Sequence, residues 1–138
     1  MHSYLKYTAL FYFLNGLAMA LLPEYWYLLT PGADETGPFN SHFIRDIGIA
    51  FTVSGCGLWF SILQRSQENF PLAWFAMAFL AGHALLHLVE MVSTGMGFSA
   101  IARDFTLIVL PIAIAIFCLL NIRSISSAAN SAQTSSIV

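Results

Sequence analysis

Charge is what this chain has least of. Five basic and seven acidic side chains are spread over 138 residues, and a single one of them, Lys6, is a lysine. Soluble domains carry about 25% charged residues, against 9% here, so a water-facing globule is excluded by composition. A net charge of −2 offers no basic footprint, which argues against nucleic acid as a partner. Cysteine is nearly absent too. Cys56 and Cys118 are too far apart for a CxxC redox pair or a zinc knuckle, and both sit in apolar runs as structural thiols do.

What fills the chain is apolar: 58% of it is hydrophobic, and its mean hydropathy is +0.74. Four stretches, at about residues 4–22, 43–63, 72–92 and 105–122, approach the roughly 20 residues a spanning helix needs. Pro23, Pro71 and Ser/Gly/Asn-rich joints punctuate them. Two of the three connections are short, so neighbouring helices are expected to run antiparallel. The expectation is an all-α, four-helix transmembrane bundle of up-down topology, one membrane domain over residues 1–123. A Ser-, Ala- and Asn-rich tail over residues 124–138 is expected to be disordered and cytoplasmic. Lys6, the apolar run and Ala18-Met19-Ala20 have the outline of a secretory signal. One basic residue, and an apolar run continuing through Leu21 and Leu22, favour an uncleaved first helix.

Lys6, Arg65 and Arg123 fall on one side of such a bundle, which places both termini in the cytoplasm. Arg45 and Arg103 oppose the bias and become candidates for a structural or functional task. The first connection, residues 23–42, has no Lys or Arg. Tyr25, Trp26 and Tyr27 suit the headgroup boundary there, Pro31-Gly32 and Gly37-Pro38 signal turns, and Asp34 and Glu35 read as solvated. His2 reads as a solvated terminal residue.

His83, His87 and Glu90 lie inside the apolar run PLAWFAMAFLAGHALLHLVEMV. Ionisable groups there cost about 2.5–3.5 kcal/mol each by insertion scales, so they are rare and have partners. The i, i+4, i+7 spacing puts all three within about 60° of one helix face. Alternating spans bring His42, Arg45 and Asp46 of the second helix, and Arg103 and Asp104 of the fourth, to the same membrane depth. Gly48, Thr52 and Gly55, and Ala78 and Gly82, form small-residue stripes that permit close helix approach. Asn15 and Gly16 offer a polar contact, and Pro111 a kink.

Several chemistries are open to these residues. A divalent metal ion could take nitrogens from His83 and His87, an oxygen from Glu90 and a fourth ligand from His42 or Asp46. HALLHLVE is neither the zincin HExxH nor the Glu-x-x-His pattern of di-iron bundles. A His–Glu ladder could instead relay protons or hydrogen-bond a quinone head group, with Arg45 and Asp104 contacting the bound ligand. Haem is the weaker variant, because facing axial histidines are lacking. The rival reading has no chemistry: Arg45 with Asp104 or Glu90, and Asp46 with Arg103 or His87, only lock helix register. The chain would then be an accessory or assembly subunit of a larger membrane complex, or a homo-oligomer.

FNSHFIRDIGIAFTVSGCGL, followed by GHALLHLVE, resembles a pattern in small four-helix bacterial membrane proteins that are broadly DoxX-like. The resemblance covers roughly residues 39–92 and implies a bacterial inner-membrane bundle. It attaches to His42, Arg45, Asp46, His83, His87 and Glu90, and it carries no catalytic motif.

Overall fold

The computed structural model describes residues 2–64 and 70–121. Arg65, Arg123 and the expected disordered tail lie outside the described residues. The described chain is helical: α1 is His2–Leu21, α2 Pro23–Leu29, α3 Ser41–Gln64, α4 Phe70–Ser93 and α5 Phe98–Asn121. A 3₁₀ turn, Ala33–Thr36, interrupts the connection between α2 and α3. Helices α3, α4 and α5 are each long and apolar enough to cross a membrane. Helix α1 reaches that standard only together with α2, because Lys6, Asn15 and three tyrosines dilute its own stretch. The chain bends by 117° between those two helices, at Leu22-Pro23. Pro23 causes no loss there, since the first residue of a helix has no intrahelical N–H bond to forfeit.

Two features of these helices are consistent with a membrane protein. Only 28–33% of each span window is buried within the chain. Large apolar side chains point outward, among them Phe75 at 79% exposure and Val92 at 88%. Between lipid-solvated helices the hydrophobic effect supplies little attraction, so close van der Waals packing must do so.

Glycine provides that packing at the α1–α3 seam. Gly16 faces Gly48 and Thr52, and Gly55 faces the backbone of Ala9 and Phe13. These pairings run in opposite chain directions, so α1 and α3 are antiparallel. The small-residue stripe expected on α3 is therefore used, against α1. The stripe expected on α4 is not used within the chain: Ala78 is exposed, and a Cβ on Gly82 would meet nothing within 4 Å. Phe51 against Phe79 and His83, and Gly57 against Ala76, set α3 antiparallel to α4.

Helix α5 begins at Phe98, well before the expected start near residue 105. Its stretch Phe105–Val109 is π-helical, with the Leu110 N–H donating to the Phe105 carbonyl. Pro111, just beyond, has no N–H to give the preceding turn, which favours a widened ladder there. The widening changes which residues share a face. Asp104 and Val109 are both buried, although five residues apart is a poor match to 3.6 per turn. The Pro111 carbonyl accepts a 2.9 Å hydrogen bond from the Tyr4 hydroxyl, which ties α1 to α5. Asn15 makes its expected polar contact, accepting from the Trp26 indole N–H at 2.9 Å and folding α2 back on α1.

Candidate functional site

One continuous polar line joins the middle of α4 to the connection between α2 and α3. It starts at His83, whose ring is edge-on to Phe51 at 5.1 Å and nearly parallel to Phe79 at 6.2 Å between centroids. One turn on, the His87 ring lies 4.8 Å from that of His83. His87 Nδ1 stands 3.7 Å from Glu90 Oε2 and 3.6 Å from Asp104 Oδ2. Both distances exceed hydrogen-bond length, so the imidazole sits between two carboxylates without being bonded to either.

The line then becomes tight. Arg103 Nε donates to Asp104 Oδ1 at 2.7 Å. Its two terminal nitrogens donate to both oxygens of Glu35 at 2.8 and 2.9 Å. A fork-to-fork guanidinium–carboxylate pair adds geometric specificity as well as energy. Asp104 is buried at 8% exposure, whereas the Glu35 side chain is 53% exposed. Arg103 thus connects an enclosed carboxylate to a solvated one. Gly32 makes room for it: its φ is +82°, and a Cβ there would collide with the guanidinium.

Hydrogen bonding from Arg103 holds the Glu35 carboxyl below the ordinary glutamate range, against an opposing effect of burial and with the Arg103 charge adding to the lowering. A depressed folded-state pKa contributes stability that is present above the unfolded value and lost as pH falls through the folded one. Backbone amides of residues 31–40 should therefore lose hydrogen-exchange protection on acidification below the ordinary glutamate range. Glu35→Gln should show the same loss already at neutral pH. Equal protection in wild type and variant would show that the pair does not hold the connection in place.

The other expected site residues stand elsewhere. His42 is 89% exposed and pairs with Asp46, 57% exposed, at 3.4 Å along α3. Arg45 is exposed and makes no ion pair among the described residues. The reason is helix phase. The inner face of α3 is occupied by Ile44, Gly48, Phe51 and Leu58, which turns His42, Asp46, Ile49 and Val53 outward. The cross-helix pairs expected of Arg45 and Asp46 are therefore replaced. Arg103 is the partner of Asp104, and His42 is the partner of Asp46. Among the described residues, no group of three or more His, Cys, Asp or Glu is arranged to hold a metal ion.

Glu35 and Gly32 were not legible as site residues. Glu35 reads as a solvated loop acid, and Gly32 as a turn signal. The available clue was an unmatched arginine, Arg103, at the same end as a connection with two acids and no base. Nothing in the order of residues chose Glu35 over Asp34. No family model, curated protein or solved structure matches this chain.

Proposed function

We propose that this chain is a four-helix, up-down membrane protein whose function resides in a proton-exchanging site formed by His87, Asp104 and Glu90. There it binds a small proton- or redox-active ligand. The observation that carries the reading is the position of His87 Nδ1 between the buried Asp104 and the half-exposed Glu90. Among the described residues, Arg103 serves both Glu35 and Asp104, and Glu90 has only the imidazole. Where the surroundings are of low dielectric, as at the buried Asp104, such an excess of carboxylate over cation is costly. A proton shared among the imidazole and the two carboxylates relieves it. A metal ion would relieve it too, but the described donors lack the ligand set, so the proton is the better-supported species. An inner-membrane location with cytoplasmic termini agrees with the distribution of Lys and Arg in the sequence and with the DoxX-like resemblance.

The test is spectroscopic. Carboxyl infrared bands and imidazole ¹⁵N shifts of the full chain in lipid nanodiscs should report a proton held jointly by His87 and the neighbouring carboxylates. Asp104→Asn should abolish the carboxyl component of that signal and move the His87 ¹⁵N shift. Elemental analysis of the same preparation checks the metal alternative. Carboxyl and imidazole signals with no shared proton, unchanged in the His87 shift by Asp104→Asn, would favour the second reading, in which the charges only lock helices. That reading draws on the Arg103–Glu35 pair, which ties the connection to α5.

A further inference from the structure

We infer that the outward face of α3 is a homodimer seam, on which a second copy of this chain seats its own α3 in parallel about a twofold axis along the membrane normal. The inference goes beyond the proton-exchanging reading and stands apart from it, since His87, Glu90 and Asp104 lie on α4 and α5.

Helix α3 meets the rest of the chain with one side only. Gly48 and Gly55 approach α1, and Phe51 and Gly57 pack on α4. The other side exposes His42, Asp46, Ile49, Val53, Phe60 and Leu63. The last four are 53–64% exposed. With the half-buried Cys56 they recur in alternating steps of four and three residues from His42 to Leu63. That spacing keeps one seam in contact along two helices wound left-handedly about each other.

Charge selects the occupant. Arg45 is exposed and has no ion pair among the described residues, and Asp46 has only His42, at 3.4 Å. Both lie in the first two turns of a helix long and apolar enough to span a membrane, where an unpaired guanidinium or carboxylate is costly. At 100° per residue, Arg45 and Asp46 flank Ile49 at about 40° on one side and 60° on the other. A twofold axis parallel to the helix sets each flank of one copy against the opposite flank of the other. Arg45 of each copy therefore meets Asp46 of the other, one residue apart in depth, and the contact is made twice. The two Asp46 carboxylates come near each other at this end of the seam, each beside the Arg45 and His42 of the opposite copy. A polar group in such a seam fixes register and the number of strands. The outward stripe of α4, Ala78 and Gly82, has no charge with which to choose an occupant.

Cys56 reports on the seam, because the twofold axis places it opposite its own copy at equal depth. In phosphatidylcholine vesicles, copper phenanthroline should cross-link full-length chains through Cys56, whereas Cys118 is buried and should not react. Val92→Cys in a Cys56→Ser chain puts a thiol on the outward side of α4, where Val92 is 88% exposed. Cross-linking there as fast as at Cys56 overturns the inference. Single-molecule subunit counting over a range of protein-to-lipid ratios measures the affinity. Arg45→Asp and Asp46→Arg should each weaken dimerisation about tenfold, as two partly exposed ion pairs are lost together. Mixing these two variants should restore the dimer, because each then supplies the charge the other lacks, and misfolded chains would not recover in this way. A wild type that stays monomeric at every ratio, or variants that fail to recover on mixing, overturns the inference.

Discussion

Replacing Asp104 with alanine should destabilise the protein by about 3 kcal/mol, because it strips a buried carboxylate from a guanidinium and an imidazole at once. Removing one partner of a buried pair costs more than the pair is worth, since the other charge is left enclosed. Here Glu35 still holds the far side of Arg103, which keeps the loss at the lower end of the usual range. Asp104→Asn preserves an oxygen for Arg103 Nε and should cost roughly half as much. It should nevertheless abolish the shared-proton signal. Unfolding of the three proteins in mixed detergent micelles measures the first effect, and infrared spectroscopy the second. An alanine variant as stable as wild type would mean that the Arg103–Asp104 contact carries no weight in the fold.

The second large effect is expected at Gly55. A Cβ at this position would lie 2.5 Å from the Phe13 nitrogen and 2.7 Å from the Ala9 carbonyl oxygen. Both are backbone atoms of α1, which cannot rotate away as a side chain can. Relief requires the whole helix to move outward, because carbon contacts need about 3.5–4.0 Å. Gly55→Val should therefore cost about 3 kcal/mol, at the upper end of overpacking penalties, measured by the same unfolding assay. The damage should spread to the site, since α1 carries Tyr12, which stacks on Phe51 beside His83. Gly82→Val is the control: its Cβ meets nothing within 4 Å, and its stability should stay within about 0.5 kcal/mol of wild type. If the two valine variants were equally stable, α1 would not be held at this seam.

These two effects differ in how far the amino-acid sequence alone foretells them. The close approach of α3 to another helix was visible as Gly48, Thr52 and Gly55 at helical spacing. That the other helix is α1 was not visible, because a stripe of small residues says that something comes near and not what. The same limit explains Ala78 and Gly82, an equally good stripe that packs on nothing within the chain. His83, His87 and Glu90 were legible because ionisable residues at i, i+4 and i+7 in an apolar span are expensive. Depth alone is what brings His42 and Asp46 into the same expected site. Depth follows from counting residues along a span, but facing requires the rotation of α3, and that rotation turns both residues outward.

Composition and periodicity by themselves determined that this is a helical chain with membrane-length apolar segments, and that His83, His87 and Glu90 share one face of one of them. Those properties are local: hydropathy sums along the chain, and 3.6 residues per turn sets what is adjacent on a helix. The tertiary structure alone decided the partners. Helix rotation and the π turn before Pro111 bury Asp104 against His87, and the fold of the connection carries Glu35 and Gly32 onto Arg103. Such pairings depend on side chains from separate elements meeting within a few ångströms, and no local pattern encodes a meeting that packing elsewhere in the bundle arranges.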